Sequence, residues 1–431
     1  MTVEQFDLRR SPIVIGPDAT RVLVRPFAPA AAPLAHTSDS TRISRFATRV
    51  LALDRFTVEA ELAEVMRGFG NRHIDLRETL AQRFAQAWGL MQDAPAVLDE
   101  ARRLLIGAYF SHEYSFEAAA LFNPSMVPHP DQSGLAYGET RFVLSLRATG
   151  EGHISSICFR SGIADANGQV RLDPPGRYAT TPASHDATQG EGGAEVVFSP
   201  STLLAERVIF PFTPEQRNGL EDARFVRFAE DNGAVAYYAT YTAYSGREIA
   251  PQLLRTEDFR RFRFLPLAGD AVRNKGMALF PRRIGGQYAM LVRLDGENLQ
   301  LSRSDDLRRW DDAVAVLAPA EPWEFMQIGN CGSPIELPEG WLVLTHGVGS
   351  MRRYSLGAAL FDLDDPTRLL GRLRTPLLSA NGHEREGYVP NVVYSCGGMA
   401  HEGNLVLPYA MSDTATGFAT VPFRSLLAAM S

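Results

Sequence analysis

The chain has little of what marks an exported, membrane-spanning or nucleic-acid-binding protein. It contains three cysteines, Cys158, Cys331 and Cys396, an odd number set far apart. A disulfide framework wants even sets and a zinc site wants close pairs, so both are disfavoured and the thiols read as buried groups in a reducing compartment. His346, His383 and His401 are dispersed, without the spacing of a ligand set, so no metal is expected. No run approaches the roughly 18 apolar residues of a membrane span. Met1 to Gly16 carries acids and arginines ahead of any apolar stretch, unlike a secretory signal. Positive charge is not in excess either: 43 Lys and Arg stand against 50 Asp and Glu, for a net charge of -7. With the two signs interspersed, no basic stripe is available to neutralise a phosphate backbone. These absences predict a cytoplasmic protein with neither nucleic acid nor a membrane as partner.

What is present is a large core and two kinds of period. At 431 residues, 45% hydrophobic and 22% charged, the chain has room for one big all-β domain with an appendage, or for two to three ordinary domains. Residues 1 to about 50 hold strand-like pieces such as Arg21-Val-Leu-Val-Arg25 and an Ala/Pro-rich loop from Pro26 to Pro33. From Thr57 to about Phe110 apolar residues recur at helical spacing. The stripes are Leu62, Val65, Met66 and Phe69; Leu76, Leu80, Phe84, Trp88 and Met91; and Val97, Leu98, Ala101, Leu104 and Leu105. They predict three helices, with Asp75 and Glu78 as a capping box for the second. Three short helices make a small core, so their stripes should dock on the rest of the chain or on a second copy of it, a route to a homo-oligomer.

Beyond about Phe116 short alternating strands take over, among them Phe142–Leu146, Ile154–Cys158, Ala236–Thr240, Tyr288–Val292 and Trp341–Thr345. Thr256-Glu-Asp-Phe-Arg-Arg-Phe262 is echoed by Ser304-Asp-Asp-Leu-Arg-Arg-Trp310 and more faintly by Asp362-Leu-Asp-Asp-Pro-Thr-Arg368, a period of about 50 residues. Radially repeated antiparallel units of that length make a β-propeller of five or six blades; a β-sandwich with similar surface turns is the alternative.

Asn218-Gly-Leu-Glu-Asp-Ala-Arg224 sets two adjacent carboxylates, Glu221 and Asp222, between a glycine turn and an arginine, just ahead of the alternation Phe225–Phe228. A turn opening a strand holds acids on a rigid element at a rim, as an acid catalyst requires. It equally fits a hairpin with a surface ion pair.

That heptapeptide, together with Phe122-Asn-Pro-Ser, Tyr241-Thr-Ala-Tyr-Ser-Gly246, Asn274-Lys-Gly-Met-Ala-Leu-Phe-Pro281, Gly340-Trp-Leu-Val-Leu-Thr-His-Gly347, Tyr354–Leu360 and Glu386-Gly-Tyr-Val-Pro-Asn391, resembles glycoside hydrolase family 130, the mannoside phosphorylases and β-1,2-mannosidases. The resemblance implies a five-bladed β-propeller over residues 116–431, with the sugar in a central funnel, and residues 1–115 as a mainly helical N-terminal extension. It makes Asp222 the general acid, its proton passing through the mannosyl 3-hydroxyl, with Ala223 where the family has proline. Asn123, Arg147 and Asp413 match residues that hold the mannosyl ring. Tyr241, Tyr244 and Tyr388 offer faces for sugar stacking, and His346 is a subsite candidate that equally fits a structural histidine.

The nucleophile divides the family. Phosphorylases need a basic cluster for phosphate as co-substrate, and Lys275 and Arg293 stand where two such residues are expected. Glu336, in the segment before Gly340, and Glu297, after the strand carrying Arg293, resemble the glutamate pair that activates water in the hydrolytic branch. On that footing the sequence predicts an inverting hydrolase of β-1,2-linked mannosides without a cofactor. The alternatives are a phosphorylase releasing mannose 1-phosphate and a carbohydrate-binding propeller without catalysis.

Overall fold

The computed structural model describes residues 5–27, 39–89, 98–186 and 193–430. By its contacts the chain divides into two units, Ala19–Phe116 with Arg177–Thr180, and Met1–Asp18 with Glu117–Gly176 and Thr181–Ser431. Among the described residues no helix is long and apolar enough to cross a membrane.

The first unit carries four helices, Asp39–Leu51, Arg55–Phe69, Leu76–Trp88 and Glu100–Tyr109. The first falls in the span read as strand and loop. Asp54 and Asp99 cap the second and fourth, accepting from Thr57 N at 3.0 Å and Arg102 N at 2.9 Å. Asp75 does not build the expected capping box. Its backbone is left-handed (φ 55°), which turns the carboxylate away from the free N–H groups of the first turn. Leu62, Leu76, Leu80 and Leu104 form one buried cluster; Val50, Val58, Leu105, Ile106 and Phe110 belong to another. Each such side chain contributes about 1.5–3 kcal/mol. At Gly107 a Cβ would lie 2.0 Å from the Leu80 carbonyl oxygen, so only glycine lets the third and fourth helices approach this closely. Phe69 is exposed, while Met91, Val97 and the loop beyond Phe27 fall outside the described residues. The strand read at Arg21–Arg25 is Val22–Pro26, paired antiparallel with Ser111–Ser115.

The second unit is built of antiparallel groups that follow one another along the chain. The first is Ala120–Pro128, Thr140–Thr149 and Ser155–Ala164; the second Gly219–Ala229, Val235–Tyr244, Ile249–Thr256 and Arg261–Pro266. Among the described residues a single parallel pair, Gly219 with Ser155, joins these two into one sheet. The third is Ala278–Leu279, Tyr288–Val292, Leu299–Ser304 and Val314–Leu317. The fourth is Gln327–Asn330, Gly340–Val348, Tyr354–Phe361 and Leu369–Arg372. The fifth is Val393–Tyr394, Asn404–Met411 and Ala415–Pro422, completed by Arg9–Ile15 from the start of the chain. Sequence reading had placed that last strand in the N-terminal extension.

The repeated Asp-rich motifs are the turns between the third and fourth strands of the second, third and fourth groups. In each an aspartate side chain accepts from the backbone ahead of it: Asp258 from Arg260 N and Arg261 N at 2.9 Å, Asp306 from Arg308 N at 2.9 Å, Asp362 from Asp365 N at 2.9 Å. Phe262 and Trp310, which close the first two motifs, are fully buried, so the repeat is a turn with a core anchor.

Candidate active site

One pattern places the candidate residues. Asn123, Asp222, Gln327 and Tyr394 lie on the first strand of the first, second, fourth and fifth groups, and Lys275 lies just before the first strand of the third. Arg147, Tyr244, Arg293, His346 and Asp413 lie at or just beyond the C-terminal end of the second strand in all five. A first strand beginning and a second strand ending at one edge bring these ten positions to the same end of their sheets.

Asp222 sits in the interior of an 11-residue strand, at a bulge between Glu221 and Arg224, with φ 55°. It is therefore neither a hairpin turn nor a rim residue, and its side chain is buried. Asn123 repeats the device at the bulge between Phe122 and Ser125, with φ 49°. A bulge with a left-handed residue re-aims one side chain without breaking the ladder on either side. Here the two re-aimed side chains meet, Asn123 Nδ2 donating to Asp222 Oδ1 at 2.7 Å.

Cations surround this pair. Arg147 Nη1 donates to Asp222 Oδ1 at 3.3 Å, its Nη2 to Glu221 Oε1 at 2.7 Å and its Nε to Ser155 Oγ at 2.9 Å. Lys275 Nζ donates to the other Glu221 oxygen at 2.6 Å. Arg224, fully buried, forms no ion pair with a carboxylate among the described residues. It donates to the Asp222 carbonyl (2.7 Å), the Cys331 carbonyl (2.9 Å) and Tyr394 Oη (2.8 Å). Burial pushes the Asp222 carboxyl up, but Arg147, Arg224, the Asn123 hydrogen bond and Lys275 outweigh it, leaving the pKa below the ordinary aspartate value. Asp413 goes the other way: burial and the Asp222 charge push it up to about 6, against Arg147 and Arg352.

Beyond Tyr394 the site turns neutral and basic. The Tyr394 ring meets the His346 ring edge-on at 4.8 Å, and His346 Nε2 lies 3.2 Å from Arg293 Nη1. With its amide oxygen turned toward them, Gln327 accepts from both. Burial, Arg293 and Arg224 hold the His346 pKa well below the ordinary histidine value, so the imidazole is neutral. Arg293 Nε is buried without a hydrogen-bond partner, and among the described residues no carboxylate forms an ion pair with this arginine.

The expected glutamate pair is not assembled here. Glu336 lies opposite Trp341, at the start of the strand that ends near His346; five residues of strand put it about 17 Å away along the sheet. There it is half-exposed and paired with Arg282, whose Nη2 donates at 2.7 Å. Glu297 lies on the site's side, in the turn Asp295–Asn298 after Arg293, but its side chain is exposed and makes no hydrogen bond or ion pair among the described residues. Tyr241 offers no stacking face, since it is buried with its hydroxyl on Gln216 and Gln252. Tyr244, opposite Gly219, is half-buried at the site edge.

Sequence reasoning passed over Tyr394, Gln327 and one compositional signal. Lys275 is the only lysine in the chain; every other basic residue counted with it is arginine. Where arginine serves everywhere else, a lone ammonium marks a place that wants a compact, rotatable donor.

A family model described as beta-1,4-mannooligosaccharide phosphorylase, that of glycoside hydrolase family 130, matches residues 199–431. A 1,2-beta-oligomannan phosphorylase of Thermoanaerobacter sp. is 33% identical over 219 residues, covering 50% of this chain and 72% of that protein. A beta-1,2-mannobiose phosphorylase of Listeria innocua is 33% identical over 223 residues, covering 49% of this chain and 60% of that protein. Among solved structures, a beta-1,2-mannobiose phosphorylase from Listeria innocua in complex with beta-1,2-mannobiose aligns with a TM-score of 0.51 at 24% identity, over 72% of this chain and 92% of that one, a likeness of fold.

Proposed function

The chain belongs to glycoside hydrolase family 130, and on that premise we propose that it is an inverting β-mannoside phosphorylase acting on β-1,2-linked manno-oligosaccharides. The five successive antiparallel groups are then the blades of a five-bladed propeller, with first-strand and second-strand residues converging on its axis. This departs from the hydrolase expected on sequence, and one observation carries it: the buried cluster has more cations than carboxylates. Arg147, Arg224, Lys275 and Arg293 stand against Glu221, Asp222 and Asp413, and Arg293 has an unsatisfied buried Nε. Buried charge left without a counter-ion is costly, and a phosphate dianion supplies both charge and acceptors. A water-activating base would need a carboxylate where this arginine stands, and Glu336 is tied to Arg282 instead.

In the reaction a phosphate oxygen attacks the anomeric carbon from the Arg293 side. The C1–O bond breaks, its electrons pass to the leaving oxygen, and that oxygen takes a proton that comes from Asp222 through the mannosyl 3-hydroxyl. Inversion converts the β-mannoside to α-mannose 1-phosphate. Asp222 is ionised in the free protein, but a phosphate dianion held by Arg293 brings negative charge toward the buried acid and offsets the cations that depress its pKa, so the acid becomes protonated as the co-substrate binds. Asn123 and Arg147 fix the carboxylate, and Asp413 takes the sugar hydroxyls. His346, held neutral, adds no charge, and the Gln327 amide oxygen that accepts from both it and Arg293 orients the arginine.

Arg293→Met tests the phosphate assignment. Losing a charge-assisted hydrogen bond of about 2–3 kcal/mol predicts a KM for phosphate raised roughly 30- to 150-fold with the KM for mannoside little changed. An unchanged phosphate KM would remove Arg293 from that role.

A further inference from the structure

Lys275 differs from the positions gathered with it, which lie on strands or just beyond their ends. It is carried on the irregular stretch between the second and third groups, flanked by Asn274 and Gly276, both with left-handed backbone (φ 60° and 96°). A β-carbon at Gly276 would meet nothing within 4 Å, so the lysine rises from an open turn. Its Nζ nonetheless has a definite partner, Glu221 Oε2 at 2.6 Å. The turn also abuts the one that follows Arg293, since a β-carbon at Gly296 would lie 3.5 Å from Asn274 Nδ2. The ammonium is thus parked on a carboxylate beside the arginine assigned to phosphate.

Glu221 is shared. Its other oxygen accepts from Arg147 Nη2 at 2.7 Å, while Nη1 of the same guanidinium reaches Asp222 Oδ1 at 3.3 Å and Nε is fixed on Ser155 Oγ at 2.9 Å. Charges therefore alternate along a chain, Lys275, Glu221, Arg147, Asp222, whose longest link is the last. The members also differ in access. The Lys275 side chain is 36% exposed, against 19% for Arg147 and 8% for Glu221, so a dissolved anion meets the lysine first. A carboxylate that loses one of two cations takes the other more fully, and an arginine fork matches both its oxygens. With Nε kept on Ser155, that grip uses both Nη atoms, and Nη1 is the atom that holds Asp222.

We propose that Lys275 and Glu221 form a relay coupling the arrival of phosphate to protonation of the acid: phosphate draws the ammonium off Glu221, Glu221 takes both Nη atoms of Arg147, and Asp222, released, takes up a proton from solvent. This rests on the reading of the site as that of a phosphorylase, and it adds to the charge that phosphate itself brings. The groups facing Asp222 fit the direction. Arg147, Arg224, Lys275 and Arg293 act on it as cations, Asp413 and the adjacent Glu221 as carboxylates, and His346, Tyr394 and Cys396 stay neutral. Arg147 has the strongest hold among the cations, because Arg224 donates to the Asp222 carbonyl and not to its carboxylate. A compact ammonium on a flexible stem changes partner more readily than a bidentate guanidinium, which suits the one lysine of the chain to this part.

The test counts protons. Calorimetry of inorganic phosphate binding at about pH 6, repeated in buffers of different ionisation enthalpy, is made on the wild type and on Asp222→Asn, Glu221→Gln and Lys275→Met. The wild type should take up about one proton more than Asp222→Asn, and that excess is the acid's own share. Glu221→Gln leaves Arg147 on Asp222 whether or not phosphate is bound, and Lys275→Met lets Glu221 take Arg147 beforehand, so each should keep less than half of the excess. Either variant retaining all of it, or a wild type that binds phosphate without it, would overturn the relay. If Glu221→Gln does not fold by circular dichroism, Lys275→Met decides alone at saturating phosphate. Failure of phosphate to bind the wild type would instead overturn the phosphorylase reading beneath it.

Discussion

Asn123 and Asp222 occupy equivalent bulges on the first strands of two successive antiparallel groups, both with left-handed backbone, and are joined by a 2.7 Å hydrogen bond from the Asn123 amide to the Asp222 carboxylate. The duplicated left-handed backbone re-aims both side chains to one point, and on the proposed reading one residue supplies the acid and the other its orienting donor. Asp222→Asn keeps the volume and the backbone preference, so the fold and sugar affinity should persist. Turnover should fall at least about 100-fold, the usual scale for losing a general acid. Circular dichroism and steady-state kinetics check both halves; turnover within a few-fold of wild type would take Asp222 out of the mechanism.

The two glutamates should separate. Glu336→Gln breaks a half-exposed pair with Arg282 far from the site, so activity should be unchanged and stability altered by less than about 1 kcal/mol. Glu297→Gln, on the site's side but exposed, should change phosphorolysis by no more than a few-fold. A loss of 100-fold or more in either variant, measured as kcat, would restore that glutamate to the chemistry.

The route to these positions shows what a sequence carries. Alternation located the strands, and the recurring Asp turns located three of the third-to-fourth-strand connections, the first two fixed in place by the buried Phe262 and Trp310. Arg147, Arg293 and Asp413 came from the resemblance to the family, and only the folded chain shows that they, with Tyr244 and His346, all close a second strand. Alternation tells which face a residue takes but not which end of a strand lies at the site. Glu336 is near His346 in the chain yet at the wrong end of the same hairpin. The Asp222 bulge read as a turn because glycine and adjacent acids look alike in both. Arg9–Ile15 was unreadable as part of the last sheet, because its partner lies more than 400 residues away. Tyr394, one tyrosine among 13, carried no local signal.

pH dependence should follow Asp413. Its folded-state pKa, about 6, lies above the ordinary value near 3.9, so the folded state binds the proton more tightly. Its stabilising contribution is full below about pH 4 and is lost as pH rises through about 6. Asp222, depressed, contributes the opposite: stability present above its ordinary value and lost as pH falls through its lowered one. Asp413→Asn should therefore abolish the decline in urea midpoint between about pH 4 and 6 while leaving the acid-side loss. The same decline persisting in the variant would assign it to another group.

The most direct measurement is the product formed from β-1,2-mannobiose with and without inorganic phosphate. The account predicts α-mannose 1-phosphate and mannose in equal amounts, at a rate that rises with phosphate and saturates, and negligible cleavage without it. Mannose as the sole product, released at a rate indifferent to phosphate, would contradict it.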